Sequence, residues 1–260
     1  MTVVPSRKGT LVLVPNLLDF GSPQPTAIRA WLPQAVIERA AALTHWVVED
    51  AKTARAFVKR VAAEVPAALP LQSLSIHELP RPVKGKGRAA TGSDAAWVSL
   101  LQPARAGHDI GVLSEAGLPA VADPGATLVA LAHAEGLAVE PLPGASALML
   151  ALAASGLNGQ QFAFVGYLPT KDDARAARIR ELEGASRRQK QTQIAIEVPY
   201  RNAALLQALL DHLAPTTRLC IACALGWPEG WCRMQRVGQW RSAPPAISAR
   251  LPAVFLFQAG

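Results

Sequence analysis

Short apolar runs alternate along the chain with longer segments in which apolar residues recur every three or four positions. In segment 51–61, for example, Ala54, Phe57, Val58 and Val61 form one apolar stripe, and the lysines and arginines lie largely off it. Short runs predict strands and the longer periodic segments predict helices. Strands are predicted at 10–14, 46–49, 71–77, 109–113, 138–142, 162–165, 193–197, 218–224, 234–240 and 253–258. Helices are predicted at 34–43, 51–61, 93–106 (capped by Ser93), 124–135, 146–154, 172–183 and 202–213.

The order of these elements predicts an α/β protein with two α/β domains. In the first part of the chain strands alternate with helices, which is typical of a parallel sheet covered by helices on both faces. The polar, glycine-containing segment 155–161 is the predicted boundary. We therefore expect an N-terminal domain at 1–156 with a parallel sheet and a C-terminal domain at 157–260 with a smaller mixed sheet.

Composition narrows the class of protein. Apolar residues make up 50% of the 260 positions and charged residues 17%, so the chain can bury a core and is not of the disordered type. No apolar run reaches the roughly 18–20 residues needed to span a bilayer. The apolar run 11–14 is followed at once by Pro15 and Asn16, and is too short for the core of a signal peptide. A cytoplasmic protein without a membrane segment is expected.

The three cysteines argue against a disulfide framework and suit a reducing compartment. Cys220 and Cys223 have the spacing of half a zinc site. The predicted strand, however, directs positions three apart to opposite faces, and no second pair or nearby histidine completes four ligands. No metal site is predicted.

Lysine and arginine exceed aspartate and glutamate by 26 to 19, which gives a net charge of +7. This excess suits contact with the phosphates of a nucleic acid, and equally the general arginine preference of a GC-rich genome. Two basic segments, 84–88 and 171–190, are each open to two interpretations: an RNA contact or a solvated surface. Trp227, Trp231 and Trp240 favour packing over base stacking.

In α/β sheets ligands bind at the carboxyl ends of strands, so the loops that follow strands are the candidate sites. Segment 114–125, SEAGLPAVADPG, follows a predicted strand and consists largely of small residues that let a ligand approach the main chain. Asp123 before Pro124 is interpreted first as a helix N-cap and second as a ligand contact. Ser146, in the loop after the next strand, can cap a helix or contact a ligand.

Together these two loops resemble the tetrapyrrole methylase superfamily. That superfamily's branch that methylates small-subunit ribosomal RNA at a ribose 2′-oxygen carries S-D-A-G-x-P-x-x-x-D-P-G followed by P-L-P-G-x-x-A, and this chain has SEAGLPAVADPG and PLPGASA. VEDAKTAR at 48–55 resembles E-D-T-R, FVGYLP at 164–169 resembles G-F-L-P, and EVPYR at 197–201 resembles E-S-P-x-R. The first loop departs from the family's P-I-G-N-L-G-D, because 14–21 is VPNLLDFG, where Asp19 and Gly21 partly substitute.

The resemblance implies S-adenosylmethionine (SAM) in a cleft between the two domains, a homodimer, and ribosomal RNA or the small ribosomal subunit as partner. Carried over residue by residue, it implies cofactor contacts at Ser114, Ala116, Gly117, Leu118 and Val121, with Ser146 and Ala147 beside them. From the second domain it implies contacts to the adenine at Glu197, Pro199, Tyr200, Ala222, Ala224 and Leu225.

Methyl transfer to a ribose hydroxyl benefits from a proton acceptor, because a free hydroxyl is a weak nucleophile. The candidate catalytic residues are Glu49 and Asp50, with Lys52 or Arg55 as charge partners; Asp50 is also a candidate helix cap and Arg55 a candidate solvated residue. Three hypotheses follow: an RNA methyltransferase, a methyltransferase for a tetrapyrrole-like small molecule, and a SAM-binding protein without transferase activity.

Overall fold

The computed structural model describes residues 7–19, 22–80 and 95–260. Within them the helices are α1 Gln34–Ala41, α2 Ala51–Ala62, α3 Ala95–Ser99, α4 Gln102–Arg105, α5 Ala126–Ala134, α6 Ala147–Ser155, α7 Asp172–Gln189, α8 Asn202–His212 and α9 Val237–Ser242. The strands are β1 Thr10–Leu13, β2 His45–Val48, β3 Ser75–Glu78, β4 Ile110–Leu113, β5 Ala138–Pro141, β6 Phe162–Tyr167, β7 Thr192–Glu197, β8 Arg218–Cys223, β9 Trp231–Arg236 and β10 Ala253–Gln258. The predicted α/β class is confirmed.

The first compact unit, Met1–Ala145, contains a parallel sheet in the order β3-β2-β4-β1-β5. Neighbouring residues of its strands face opposite sides, as the pleat requires. On one side Val12 and Trp46 pack with residues of α1 and α2. On the other, Leu11 and Val47 pack with residues of α3, α4 and α5. Helices therefore cover both faces, as predicted.

The second compact unit, Ser146–Gly260, contains a mixed sheet in the order β6-β7-β10-β8-β9. The central strand β10 is antiparallel to both β7 and β8. Phe255 and Phe257 of β10 pack with residues of α7, α8 and α9 on one face of the sheet. Val254 and Leu256 pack with α6 on the other face.

The division of the chain falls earlier than the sequence predicts, after Ala145 rather than after residue 156. The reason is α6, whose Leu148, Ala151 and Leu152 pack on β8 and β10. The chain order of α6, directly behind β5, suggested the first domain, but its apolar contacts belong to the second.

Several elements differ from their predictions. A single helix at 93–106 is wrong, since α3 and α4 are separate, and Ser93 lies outside the described residues. The predicted strand 234–240 is also wrong: β9 ends at Arg236 and α9 begins at Val237. Trp240 on α9 is fully buried and its indole Nε1 donates to the carbonyl of Leu219 at 2.9 Å. Val237 and Trp240 are both 0% exposed and three positions apart, which is the spacing of a helix and not of a strand.

We expect Phe255→Ala to lower the free energy of unfolding by about 3–5 kcal/mol, because it removes a 0% exposed ring from the centre of the second sheet and leaves a cavity. The matched control is Phe164→Ala on the edge strand β6, where the ring is 38% exposed and the expected loss is about 1 kcal/mol or less. Urea unfolding followed by circular dichroism measures both. Equal losses would contradict the assigned core.

Candidate functional site

Three loops leave the first sheet at one edge. Because β1, β2 and β4 are neighbouring parallel strands, their carboxyl ends lie side by side. Asn16 follows β1, Glu49 follows β2, and segment 114–125 follows β4. The structure therefore brings together two sets that are separate in the sequence: the predicted proton acceptors and the predicted cofactor loop of the first unit.

Hydrogen bonds tie these loops to one another. The buried Asn16 amide donates from Nδ2 to the carbonyls of Ser114 at 2.9 Å and Glu115 at 3.0 Å. The main-chain N–H of Asn16 donates to the carbonyl of Gly117 at 2.8 Å. The N–H of Glu115 donates to Oε2 of Glu49 at 3.1 Å. The start of the predicted cofactor loop is thus held from two sides.

Segment 114–125 follows an unusual main-chain path. Gly117 has φ +69°, and the non-glycine residues Ala120 and Ala122 have φ +67° and +66°, a region that is uncommon for residues with a Cβ. Val121 between them is exposed. Ser114 is 2% exposed and its hydroxyl lies next to the Asp123 carboxyl. Small side chains and main-chain groups therefore make up most of this loop.

Asp123 is not a helix cap, so that interpretation is wrong. Helix α5 begins at Ala126, and its N-cap is Gly125 with φ +130°. The Asp123 carboxyl instead lies in the field of Glu49 and Glu115. Burial, the charge of Glu49 and then that of Glu115 raise the pKa of Asp123 to about 7, and the nearby Ser114 hydroxyl offsets part of this rise.

Glu115 belongs to the same acidic group. Burial and the charges of Glu49 and Asp50 raise the pKa of Glu115 above its usual value. Like charges close together oppose one another's ionisation, and this adds to the effect of burial on the pKa values of Glu115 and Asp123. Carboxyls with raised pKa values are suited to accepting a proton near neutral pH.

A cavity of about 460 Å³ opens beside these loops within the first unit. This volume falls in the roughly 300–1,000 Å³ range of small-molecule sites. The described residues that line it are Asn16, Leu17, Asp19, Asp50, Lys52, Thr53, Ala56, Phe57, Arg60 and Glu115. Asp50 reaches it while also capping α2, since its Oδ1 accepts from the N–H of Thr53 at 2.7 Å. The capping interpretation of Asp50 is confirmed.

Arg55 is not among the described residues that line this cavity. It is exposed on α2, and its Nη1 lies 3.4 Å from the carbonyl of Ala51. The arginine that does reach the cavity is Arg60, one of the cations that the sequence placed largely off the apolar stripe of the helix. The signal for it is periodicity: Thr53, Ala56 and Arg60 lie on one face of α2, next to the buried stripe.

The second unit groups its own predicted cofactor residues. In the sheet register Glu197 of β7 and Cys223 of β8 both lie opposite Ala253 of β10, so β7 and β8 end at the same edge. The residues that follow these ends are Pro199, Tyr200, Ala224 and Leu225. Ala147 of α6 packs in one apolar cluster with Ala222 and Leu225.

Two of the predicted cofactor contacts, Glu197 and Ser146, already have structural roles. The buried Glu197 carboxylate accepts from the N–H of Val198 at 2.9 Å and pairs with Arg201 at 3.2 Å. The Ser146 hydroxyl is the N-cap of α6, with Oγ 3.5 Å from the N–H of Met149, so the capping interpretation is confirmed. Tyr200 is the most exposed of the set.

The remaining sequence features are placed as follows. Segment 84–88 lies outside the described residues. Most of the cations of segment 171–190 lie on α7, where Arg175 and Arg178, both partly buried, pair with Asp172 and Glu181. Cys220 and Cys223 belong to clusters on opposite faces of the second sheet. Among the described residues no helix is long and apolar enough to cross a bilayer, and no group of three or more His, Cys, Asp or Glu is arranged to hold a metal ion.

Comparison with known proteins gives sequence relatives over part of the chain. The ribosomal RNA small subunit methyltransferase I of Pseudomonas aeruginosa is 40% identical over 115 residues, which are 44% of this chain and 37% of that protein. The protein of the same name from Vibrio cholerae is 38% identical over 123 residues, 47% of this chain and 41% of that protein. The matches thus span less than half the length of these curated relatives.

Solved structures share the fold over nearly the whole chain. The crystal structure of the methyltransferase CobJ has a TM-score of 0.58 at 19% identity, and covers 98% of this chain and 95% of its own. The uroporphyrin-III C-methyl transferase of Thermus thermophilus, solved in complex with S-adenyl homocysteine, has a TM-score of 0.51 at 16% identity. The match covers 96% of this chain and 97% of that structure's chain.

The family model described as Tetrapyrrole (Corrin/Porphyrin) Methylases matches residues 33–231, which include α2, the loop after β4 and β7 to β8. This match takes in well over half of the chain. The chain belongs to the tetrapyrrole (corrin/porphyrin) methylase family.

Proposed function

We propose that this chain is a SAM-dependent methyltransferase whose acceptor is a ribose 2′-oxygen of ribosomal RNA. The observation that carries the proposal is the charge of the cavity in the first unit. Three carboxylates line it, those of Asp19, Asp50 and Glu115, against the cations of Lys52 and Arg60. Such a wall favours a neutral hydroxyl over the many carboxylates of a tetrapyrrole, because like charges brought together are costly.

Two further observations support RNA as the acceptor. The relatives that match at 38–40% identity over part of their length are named ribosomal RNA small subunit methyltransferase I. The net charge of +7 suits a phosphate-rich partner outside the cavity. Membership of the family also keeps a small tetrapyrrole-like acceptor as the second candidate, since the structural neighbours include a uroporphyrin-III methyltransferase.

The residues present fit SAM as cofactor. In the first unit Ser114, Ala116, Gly117, Leu118 and Val121 would hold it through small side chains and main-chain groups. In the second unit the apolar cluster of Ala147, Ala222 and Leu225 suits an adenine ring, with main-chain groups at its edge. We propose that Ser146, Glu197, Pro199, Tyr200 and Ala224 complete that set. When bound, SAM supplies a methyl group on a cationic sulfur.

The chain's own contribution to chemistry is proton removal. Glu49 and Asp50 are the proposed acceptors for the hydroxyl proton, with Asp123 and Glu115 next to them in the acidic group. A positioned base of this kind contributes roughly 10²–10⁴-fold to a rate. Arg55, exposed on α2, is proposed as a contact to a phosphate of the RNA rather than to the reacting atoms. We propose further that the protein acts in the cytoplasm as a homodimer.

Methyl transfer tests this function directly. With radiolabelled SAM and small ribosomal subunits from a deletion strain, we expect label in the RNA, and a ribose 2′-O-methyl nucleoside after digestion. Glu49→Gln and Asp50→Asn should each lower kcat about 100-fold or more with SAM affinity unchanged, because both keep a side-chain oxygen for hydrogen bonding and remove the base.

The matched control for these variants is Glu38→Gln, at an exposed carboxylate of α1 that accepts from Gln34. It should leave kcat within about twofold of the wild type. Label that enters a tetrapyrrole fraction instead of RNA would favour the second candidate. SAM binding with no label in any fraction would overturn the enzyme hypothesis.

The raised pKa of Asp123 predicts a pH-dependent stability. A carboxyl whose pKa is higher in the folded state stabilises that state at acid pH, and this contribution is lost as the pH rises from about 4 to about 7. Asp123→Asn should therefore gain stability relative to the wild type on going from pH 4.5 to pH 8, by about 1 kcal/mol for a partly exposed group. Urea unfolding at both pH values measures it, and Asp173→Asn on the exposed face of α7 is the control. A difference that is independent of pH would contradict the environment assigned to Asp123.

A further inference from the structure

An ion pair in the cavity wall of the first unit joins the loop after β1 to α2. Asp19 is 6% exposed. Arg60, in the last turn of α2, donates from Nη1 to Oδ1 of Asp19 at 3.1 Å and from Nη2 to Oδ2 at 3.0 Å. A planar guanidinium that meets a carboxylate through two parallel bonds fixes both orientation and distance.

Both members of the pair also bind Thr26, seven positions after Asp19 in the same loop. Asp19 Oδ2 accepts from the N–H of Thr26 at 2.9 Å and from its Oγ1 at 3.1 Å, while Arg60 Nη2 donates to the Thr26 carbonyl at 2.6 Å. Thr26 Oγ1 in turn accepts from the indole Nε1 of Trp31 at 3.0 Å. Four residues from three stretches of chain therefore share one network. Burial opposes ionisation of Asp19, but the Arg60 and Thr26 donors outweigh it and lower the pKa of Asp19 below its usual value.

The location of the network separates it from an ordinary stabilising contact. Asp19 and Arg60 both line the cavity, together with Asp50 and Glu115 of the proposed acidic group. Thr53, Ala56 and Arg60 lie on the face of α2 that borders the cavity. Because Asp19 already neutralises Arg60, the guanidinium is committed to the wall and is not a free anion contact.

We propose that Asp19 and Arg60 are a positioning pair that holds the loop after β1 as the wall against which the acceptor ribose is placed. The inference rests on the proposed methyl transfer and assigns to this pair the binding of the acceptor, not of SAM. Neither residue is among those proposed to contact the cofactor. A wall of defined shape sets how well the acceptor is held before it reacts, so its loss should raise KM for the RNA more than it lowers kcat.

The chain offers a matched control pair. Arg29 and Glu64 also form an ion pair between the segment after β1 and the segment that ends α2, but neither lines the cavity among the described residues. Arg29 is 54% exposed. Its loss removes a link between the same two segments without altering the wall. Exposed pairs of this kind contribute little to stability.

The test compares Arg60→Gln, Arg60→Lys and Asp19→Asn with Arg29→Gln in the full-length protein. For Arg60→Gln and Asp19→Asn we expect kcat/KM for small ribosomal subunits to fall ten- to a hundredfold, chiefly through KM, with the Kd of SAM from calorimetry within about twofold. Arg60→Lys keeps the charge and should recover part of the loss. The double variant Asp19→Asn/Arg60→Gln should lose about as much kcat/KM as each single variant, because each single change already breaks the same ion pair. Arg29→Gln should leave kcat and KM within about twofold.

Hydrogen exchange at the Thr26 N–H gives a readout apart from activity, and should accelerate in Asp19→Asn and Arg60→Gln but not in Arg29→Gln. If that amide is released and KM for the RNA is unchanged, the pair is merely structural and the inference is overturned. A loss of SAM affinity as large as the loss of kcat/KM overturns the inference as well. So does an Arg60→Lys variant that recovers none of the kcat/KM, in the case where Arg60→Gln does not fold. A wild-type protein that transfers no methyl group contradicts the proposed function itself, and the inference falls with it.

Discussion

Parallel pairing of β1, β2 and β4 is the constraint on which the rest of the first unit depends. It places the carboxyl ends of three strands together, and those ends carry Asn16, Glu49 and Ser114. A loop as rich in small residues as 114–125 has little side-chain packing of its own, so its shape must come from its neighbours. The Asn16 amide and the Glu49 carboxylate supply that shape through bonds to main-chain groups at the start of the loop.

This arrangement has an electrostatic consequence. Glu49 accepts a hydrogen bond from the loop, and its charge also raises the pKa values of Glu115 and Asp123. Glu49 therefore both holds the start of loop 114–125 and raises the pKa values of two carboxyls in that loop. The pKa of Asp19 shifts in the opposite direction: hydrogen bonds from Arg60 and Thr26 and the charge of Arg60 lower it, and the ion pair neutralises the carboxylate. Of the carboxyls that line the cavity, Asp19 is committed to an ion pair, whereas the pKa of Glu115 is raised.

The second unit contains a mixed sheet, in contrast to the parallel sheet of the first. Antiparallel β10 between β7 and β8 makes the last two parallel to one another, so residues after both strands meet at one edge. A buried glutamate there is tolerated because Val198 and Arg201 satisfy its oxygens. The apolar residues Ala147, Ala222 and Leu225 pack together close to that edge.

The sequence by itself determined the α/β class, most strands, and the loops that follow them, because apolar periodicity and turn-forming residues such as glycine and proline are local signals. It also identified the family, because SEAGLPAVADPG and PLPGASA are specific in combination. Only the tertiary structure decided the domain boundary, since α6 is assigned by its packing on β8 and β10 and not by its place in the chain. Likewise, Arg60 looks like any solvated helical cation until a buried carboxylate 41 positions earlier turns towards it, and Asp123 looks like a cap until Gly125 takes that position. Burial and long-range partners set the role of a charged residue, and neither is encoded in its immediate neighbours.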